Sequence, residues 1–197
     1  MAFSSTSLTI LGLLGGATLI QLGYYLFVFL RLVRYQAEEN SAFKAPVSVI
    51  ICARNEADNL KENIPLILDQ QYPEFEVVIV NDHSVDETED LMIDWRNAYP
   101  NLRFVNLTDD NTFMEGKKFA VTMGIKGAAH ERLIFTDADC KPSSKRWLEL
   151  MAVQFSTTKK IVLGYGAYEK LPGFLNKMVR FDTFFIALQY MSYALAG

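Results

Sequence analysis

The sequence predicts an α/β fold, a mostly parallel sheet flanked by helices, preceded by one N-terminal transmembrane helix. Three observations support this prediction: a long uncharged N-terminal segment, short and mostly apolar runs further along the chain, and helical patterns between those runs. The 197 residues suffice for one domain, and a hydrophobic content of 50% suffices for its core. The net charge of -4 excludes nucleic-acid binders of the usual basic kind, so no nucleic-acid partner is expected.

Residues 8–30 are predicted to form the transmembrane helix. They carry no charged side chain, and the segment exceeds the roughly 20 residues that a helix needs to cross a bilayer. The alternative is a cleaved signal peptide, but no Lys or Arg precedes the segment, and it is longer than a typical signal core. Because Arg31 and Arg34 follow at once, the positive-inside rule places the rest of the chain in the cytoplasm. The expected location is the cytoplasmic (inner) membrane, with a single N-terminal span.

The strands of the sheet are predicted at short runs rich in Val, Ile, Leu and Phe, which are typical of strands buried on both faces. These runs are residues 47–52, 75–80, 102–107, 133–135 and 161–163. Residues 31–46, which end at Pro46, are expected to be a juxtamembrane linker, and residues 47–170 the α/β domain. Residues 171–197 are expected to start a further region.

The helices are predicted between these runs, where apolar residues recur at helical spacing. Pro65 is expected to weaken the first helix, and the pattern from Ser84 to Glu87 predicts that a capping box opens the second. The apolar positions are Leu60, Ile64 and Ile67 in the first helix, Leu91, Met92 and Trp95 in the second, Phe119, Ala120 and Met123 in the third, and Trp147, Leu148, Met151 and Phe155 in the fourth, for which Ser143 and Ser144 are possible caps.

Polar residues follow three of the predicted strands, at the edge where open α/β sheets bind their ligands. Asp137 and Asp139 form an Asp-x-Asp pattern whose oxygens suit Mg²⁺ or Mn²⁺ together with substrate phosphates. The alternative is that both carboxylates cap the turn before Pro142. Asp82 suits a hydrogen bond to a base or a ribose, and the alternative is a turn residue.

Two further features bear on the chemistry of this edge. Gly116 and Lys117 open the third helix, and backbone amides beside an ammonium suit a phosphate, with a solvated lysine as the alternative. The two histidines and two cysteines show no zinc-binding spacing, and Cys52 and Cys140 form no disulfide framework, which fits a reducing compartment.

Together these motifs resemble the family 2 glycosyltransferases, whose catalytic domain has the GT-A fold. The matching segments, in the family's order, are residues 47–56, 78–84, 116–120 and 135–140. The resemblance implies an inverting, metal-dependent enzyme of cell-envelope polysaccharide synthesis. Such an enzyme transfers a sugar from a nucleotide-diphosphate-sugar donor to a carbohydrate or lipid-linked acceptor.

The resemblance also assigns roles to individual residues. It places Ala53, Arg54 and Glu56 near the nucleotide, Asp82 at the base, Lys117 near the base or phosphates, Asp137 at both nucleotide and metal, and Asp139 at the metal. Many relatives carry two aspartates where this chain has Asn81 and Asp82, so Asp82 alone is expected to take the base role.

The general base of the family is expected beyond Gly197, and the chain is therefore interpreted as a fragment. Glu149, Glu169 and Asp182 are the acidic residues after Asp139, and none of them lies in the family's later acidic motif. Residues 171–197 are expected to begin an acceptor or membrane-interface region that lies on the bilayer surface, with a core helix as the alternative. Two other functions remain open: a sugar nucleotidyltransferase and a non-catalytic nucleotide-binding scaffold at the membrane.

Overall fold

The computed structural model describes residues 4–36, 45–107, 116–156 and 159–197. The chain divides into two compact units. Glu39–Val162 contains the sheet and is called the sheet unit below. Met1–Glu38 and Leu163–Gly197 together form the helical unit.

The bounds of the strands and helices are as follows. The strands are β1 (Val47–Ala53), β2 (Phe75–Asp82), β3 (Leu102–Leu107) and β4 (Arg132–Asp137). The helices are α1 (Ser5–Tyr24), α2 (Leu30–Arg34), α3 (Ala57–Leu68), α4 (Thr88–Trp95), α5 (Lys117–Gly127), α6 (Trp147–Ala152) and α7 (Phe174–Ala196), with a π-helical turn, Tyr25–Phe29, joining α1 to α2.

The four strands form one parallel sheet in the order β3-β2-β1-β4. Alternate side chains point to opposite faces. Val49, Ile51 and Ile79 pack on one face against buried residues of α3, α4 and α6, whereas Val80 packs on the other against Ala120 of α5. Because both faces are covered by helices, β1 and β2 are mostly apolar, and the predicted parallel α/β architecture is confirmed.

Helix α5 approaches the sheet closely because it carries glycine where it crosses β1 and β2. A Cβ atom built on Gly124 would lie 2.6 Å from Cγ2 of Ile50 and 3.0 Å from Cγ2 of Val80. Gly127 is similar, with Cγ2 of Val105 at 2.9 Å. No larger side chain fits at Gly124 unless the helix or the strands move.

Two local predictions are wrong. Residues 161–163 form no strand, and Ile161 is 81% exposed, so this apolar run is not part of the sheet core. The capping box is also absent, since α4 begins at Thr88 and Ser84 Oγ instead accepts a hydrogen bond from the Asn55 amide at 2.9 Å. The Asp86 carboxylate takes the capping role, accepting from the Thr88 amide at 3.0 Å.

Two helix predictions need smaller adjustments. Pro65 lies inside α3 without ending it, since the helix continues to Leu68. Phe155, which was assigned to the fourth helix, lies beyond the end of α6 at Ala152 but still packs against the core.

The helical unit contains a long apolar N-terminal helix and α7. Within the described part of the chain, Ser5–Arg34 is the one helical stretch long and apolar enough to cross a membrane. The most apolar segment of this stretch is not buried against the rest of the protein. Helix α7 packs beside its last turns, where the rings of Phe29 and Phe185 meet edge to face with centroids 6.2 Å apart. Arg31 Nη1 also donates to the carbonyl oxygen of Leu195 at 3.3 Å.

Candidate functional site

A pocket of about 380 Å³ lies at the carboxyl edge of the sheet. Cys52 of β1 is paired with Asp137 of β4, and Ala53 with Asn81 of β2, so the three strands end side by side. The pocket is lined by Cys52, Ala53, Arg54, Glu56, Asp82, Gly116, Lys117, Asp137, Ala138 and Asp139. Every site residue predicted from the sequence thus lies at this one pocket, which is called the sheet-edge pocket below.

The loops after β1 and β2 are bonded to each other at the rim of the pocket. The Asn55 amide donates to Ser84 Oγ at 2.9 Å, and Asn55 Oδ1 accepts from the Val85 amide at 2.8 Å. Asn55 and His83 have φ angles of 58° and 57°, in the left-handed region that residues other than glycine seldom adopt. These bonds hold Asn55 in that conformation and fix the two residues that follow His83, and the sequence analysis did not identify the bonds.

Glu56 lies between the first loop and α3. Its Oε2 accepts from Asn59 Nδ2 at 2.5 Å, and its amide donates to Thr88 Oγ1 at 3.3 Å. The next amide, that of Ala57, donates to Asp86 Oδ2 at 3.1 Å. The start of α3 is therefore fixed by side chains from the segment around the start of α4.

Asn81 and Asp82 are adjacent on β2 but have different surroundings. Asn81 Oδ1 accepts from the Ser84 amide at 3.1 Å, and its Nδ2 donates to Asn106 Oδ1 at 2.8 Å. This arrangement requires both a donor and an acceptor, which an ionised aspartate could not supply. Asp82 is 7% exposed, lines the pocket and lies 2.9 Å from His83 Nδ1.

Lys117 brings a positive charge to the pair of aspartates. Its Nζ donates to Asp137 Oδ1 at 2.7 Å, and this hydrogen bond raises the pKa of Lys117. Lys117 is the first residue of α5. Gly116 precedes it with a φ of 103° and allows the helix to begin beside the pocket. A cation and two carboxylates are therefore neighbours on the pocket wall.

The turn that carries the two aspartates, residues 137–140, is called the acidic turn below. It is closed by the Cys140 amide, which donates to the backbone carbonyl of Asp137 at 3.1 Å. Ala138, between the two aspartates, is 5% exposed, and its carbonyl accepts from Asn63 Nδ2 at 2.8 Å. Asn63 lies on α3, and sequence reasoning missed it because its partner is 75 residues away.

Cys52 forms part of the pocket wall at the end of β1. Burial raises the pKa of its thiol, and Lys117 partly opposes this effect. The thiol is therefore protonated at neutral pH and adds a weakly polar surface between the acidic turn and Asp82.

The carboxylates of the acidic turn fit a divalent cation that takes most of its ligands from a substrate. Within the described ranges, no group of three or more His, Cys, Asp or Glu side chains is arranged to hold a metal ion. Mg²⁺ is commonly bound through one or two carboxylates, with substrate phosphates and water completing the shell. Asp137 and Asp139 meet that requirement, and both side chains are exposed.

Comparison with known proteins identifies the family. The sequence model of the family described as Glycosyl transferase family 2 matches residues 48–192 of this chain. The chain belongs to this family. Its parallel sheet, with helices on both faces, is the predicted GT-A fold.

Curated relatives of this glycosyltransferase chain include enzymes from archaea and bacteria. Glycosyltransferase AglE of Haloferax volcanii is 31% identical over 140 residues, which cover 70% of this chain and 44% of AglE. Poly-beta-1,6-N-acetyl-D-glucosamine synthase of Staphylococcus epidermidis is 29% identical over 120 residues, which cover 59% of this chain and 27% of the synthase. The chain spans less than half the length of either relative.

A solved structure supports the same fold. The mannosyltransferase PcManGT of Pyrobaculum calidifontis, in complex with GDP-Man and Mn²⁺, aligns with a TM-score of 0.59 and 25% identity. The alignment covers 72% of this chain and 43% of that protein.

Proposed function

We propose that this protein transfers a sugar from a nucleotide-diphosphate-sugar donor to a carbohydrate or lipid-linked acceptor, with inversion and with Mg²⁺ or Mn²⁺. One observation carries the proposal: the residues that the family resemblance assigns to nucleotide and metal all line the sheet-edge pocket. The GDP-Man and Mn²⁺ bound to PcManGT, a structural neighbour, support this class of donor and cofactor.

Each side chain of the pocket has a specific part in this proposal. Asp82, which is buried beside His83, accepts a hydrogen bond from the base, while Arg54 and Glu56 lie along the nucleotide. Asp137 and Asp139 hold the cation, which when bound neutralises the charge of the departing nucleoside diphosphate.

Lys117 changes partner as the donor binds. Its ammonium pairs with Asp137 at 2.7 Å in the chain alone. Both side chains are more than half exposed, so the pair is weak and opens at little cost. Asp137 would be one of the residues that hold the cation, and Lys117, released from Asp137, would neutralise a donor phosphate.

We further propose that the protein is anchored in the cytoplasmic membrane by the N-terminal helix, with the sheet unit in the cytoplasm. Residues 171–197 then form the membrane-interface region. In the helical unit, Lys177, Arg180, Phe181 and Phe184 of α7, with Tyr165 and Ala167, line a groove of about 330 Å³, called the basic groove below. Cations beside aromatic rings suit the boundary between anionic headgroups and acyl chains.

Two other functions were considered from the sequence. Membership of a glycosyltransferase family counts against a sugar nucleotidyltransferase. A non-catalytic scaffold differs from an enzyme in turnover, so release of nucleoside diphosphate from a nucleotide-sugar by the full-length protein supports the enzyme, and binding without release supports the scaffold.

Metal-dependent nucleotide binding tests the proposal directly. UDP, GDP and dTDP are titrated against the detergent-solubilised chain with Mn²⁺ and with a chelator. Replacing a metal ligand, Asp139→Asn, should lower the affinity measured with Mn²⁺ about tenfold or more, with little change under chelator. Asp69→Asn is the matched control, because Asp69 is an exposed carboxylate paired with Lys145 outside the pocket. Equal loss under both conditions for Asp139→Asn would make Asp139 a structural residue.

A further inference from the structure

Asn63 is a polar residue on the buried face of α3. Leu60, Ile64 and Ile67 of the same helix are at most 1% exposed, and Asn63 is 2% exposed. Its Nδ2 donates to the Ala138 carbonyl oxygen at 2.8 Å. Helix α3 therefore makes a side-chain bond to the peptide group between the two aspartates of the acidic turn.

The other half of the Asn63 amide has no hydrogen-bond partner. Its Oδ1 atom is buried and unpaired. A buried unpaired acceptor lowers the stability of a protein, and a leucine at this position would continue the apolar face of α3 without that acceptor, although the Ala138 carbonyl would then lose its donor. The asparagine therefore serves the Ala138 carbonyl rather than the apolar face of α3.

The hydrogen bond from Asn63 to the Ala138 carbonyl also restrains the backbone of Asp139. The Ala138 carbonyl shares a rigid peptide plane with the nitrogen and Cα of Asp139, so turning that carbonyl also moves the Asp139 backbone. Asp137 lies on the other side of Ala138 and bonds to Lys117 and to the Cys140 amide. Without Asn63, the carbonyl of a residue that is 5% exposed would lose this partner and turn towards water.

We propose that Asn63 is a positioning residue that holds the Ala138 carbonyl and thereby sets the directions of the Asp137 and Asp139 carboxylates. The proposal deepens the proposed function, because the geometry it fixes is that of the divalent-cation ligands. Asn63 touches neither donor nor cation and acts through the acidic turn. Since α3 starts at Glu56 and Ala57, the same helix joins the nucleotide side of the pocket to the metal side.

Asn63→Leu is the main test variant because it removes the donor and the unpaired acceptor while keeping the branched shape of the side chain. Asn63→Ala is the second variant and serves if the leucine prevents folding. Gln70→Leu is the matched control. Gln70 is also a buried amide, 7% exposed, but it bonds to the Ser144 carbonyl at 2.9 Å and the Leu148 amide at 3.0 Å, which hold α6 rather than the acidic turn.

Three measurements on the detergent-solubilised chain decide the question. Hydrogen exchange of residues 137–141 without ligand should be faster in Asn63→Leu than in the wild type and unchanged in Gln70→Leu. The affinity for GDP or UDP with Mn²⁺ should fall roughly two- to tenfold, the effect of one neutral hydrogen bond, and stay constant under chelator. Both Asn63→Leu and Gln70→Leu should lower Tm, because each removes a buried hydrogen bond to a backbone carbonyl. A purely structural role would lower the Mn²⁺-dependent affinity of the two variants alike, whereas the positioning role lowers it only in Asn63→Leu.

The outcomes separate this proposal from the proposed function. The positioning role is overturned if hydrogen exchange in the acidic turn is unchanged in both Asn63 variants. It is also overturned if Gln70→Leu accelerates hydrogen exchange in the acidic turn as much as Asn63→Leu does. Faster exchange with unchanged Mn²⁺-dependent affinity also overturns it, because the turn then has no bearing on the cation. If the wild type binds none of the nucleotides, the proposed function fails, and hydrogen exchange alone decides whether Asn63 holds the turn.

Discussion

At the scale of single residues, the adjacent side chains of Asn81 and Asp82 at the end of β2 have different surroundings, and we propose different roles for them. Both hydrogen-bonding groups of the Asn81 amide are used inside the protein, by Ser84 and Asn106. Asp82 presents its carboxylate at the pocket wall. The sequence analysis assigned the base role to Asp82 alone, because this chain lacks the second aspartate of the family motif, and that role stays a prediction.

Replacing Asp82 tests the ligand-binding half of this division. Asp82→Ala should weaken nucleotide binding by about ten- to a hundredfold, since a charged hydrogen bond contributes roughly 1.5–3 kcal/mol. The dependence on Mn²⁺ should persist, because Asp82 is not one of the proposed metal ligands. Calorimetric titration with and without chelator measures both effects. An affinity equal to the wild type would leave Asp82 as a turn residue only.

The Cys52 thiol reports on occupation of the pocket. Because burial raises the pKa of Cys52, its thiolate fraction at pH 7 is below that of an ordinary cysteine and grows only as pH rises towards the raised value. At pH 7 iodoacetamide should therefore alkylate the Cys52 thiol more slowly than it alkylates the thiol of free glutathione. The rate at Cys52 should rise as the pH increases. A bound nucleoside diphosphate should slow labelling of Cys52, which lines the pocket, more than labelling of Cys140, which does not.

Site-resolved mass spectrometry of the labelled chain measures both rates at each pH. If nucleotide slows Cys52 and Cys140 equally, the protection reflects a general tightening of the fold rather than contact in the pocket.

At the scale of helices and strands, close packing of α5 on the sheet depends on Gly124. Gly124→Ala should lower the free energy of unfolding by about 1–3 kcal/mol, the usual cost of overpacking, because the new Cβ would meet Ile50 Cγ2 at 2.6 Å. Chemical denaturation measures the loss as a shift of the midpoint at constant m-value. Lys126→Ala, at an exposed position of the same helix, is the control and should shift the midpoint little.

The double variant Gly124→Ala/Ile50→Ala tests the physical cause. Ile50→Ala alone leaves a cavity, which the methyl group introduced by Gly124→Ala partly fills. The two losses should therefore sum to more than the loss of the double variant, as expected for residues in contact. If the two losses of free energy of unfolding are strictly additive, the strain in Gly124→Ala does not arise from contact with Ile50.

The elements that the sequence predicts well are those whose pattern arises from burial. The run at 102–107 matches β3, and those at 47–52 and 75–80 match β1 and β2 to within two residues, because strands covered by helices are mostly apolar. Convergence of the motif residues at one edge was also predictable, since parallel strands end together.

The predictions that failed depend on a choice between local and distant partners. Ser84 has the pattern of a helix cap but bonds to Asn55, 29 residues earlier in the chain. Residues 161–163 are as apolar as a core strand, yet they lie outside the sheet core. Asn63 carried no signal at all, because a single asparagine in a helix does not show which distant carbonyl it contacts.

At the scale of the whole molecule, the distribution of apolar surface differs between the two units. In the sheet unit the large apolar side chains of the strands are mostly buried, whereas the helical unit exposes many on α1 and α7. On α7, Phe174 and Leu175 are 76% and 75% exposed and are followed by Lys177 and Arg180. Large exposed apolar surfaces of soluble proteins are usually binding surfaces, and here the added basic residues favour an anionic bilayer.

The position of α7 in a bilayer can be measured by fluorescence quenching. In a Cys52→Ser/Cys140→Ser background, a fluorescent probe is attached at Phe174→Cys in chain reconstituted into vesicles containing phosphatidylserine. If the first half of α7 lies at the headgroup boundary, quenchers carried on the lipid should quench the probe. The same probe at Asp69→Cys, an exposed position of the sheet unit, is the control and should be quenched far less.

The charges of the basic groove should strengthen this contact. Each basic residue near an anionic surface contributes about 1 kcal/mol, so Lys177→Glu/Arg180→Glu should reduce quenching markedly, and high salt should have the same effect in the wild type because it screens surface charges. Lys126→Glu/Lys145→Glu, two exposed lysines of the sheet unit, is the matched control. Absence of lipid-borne quenching at residue 174 would contradict the interfacial placement and favour a core helix. Labelling of Ala196→Cys from outside intact cells would contradict it in the other direction, because only a crossing helix places that residue outside.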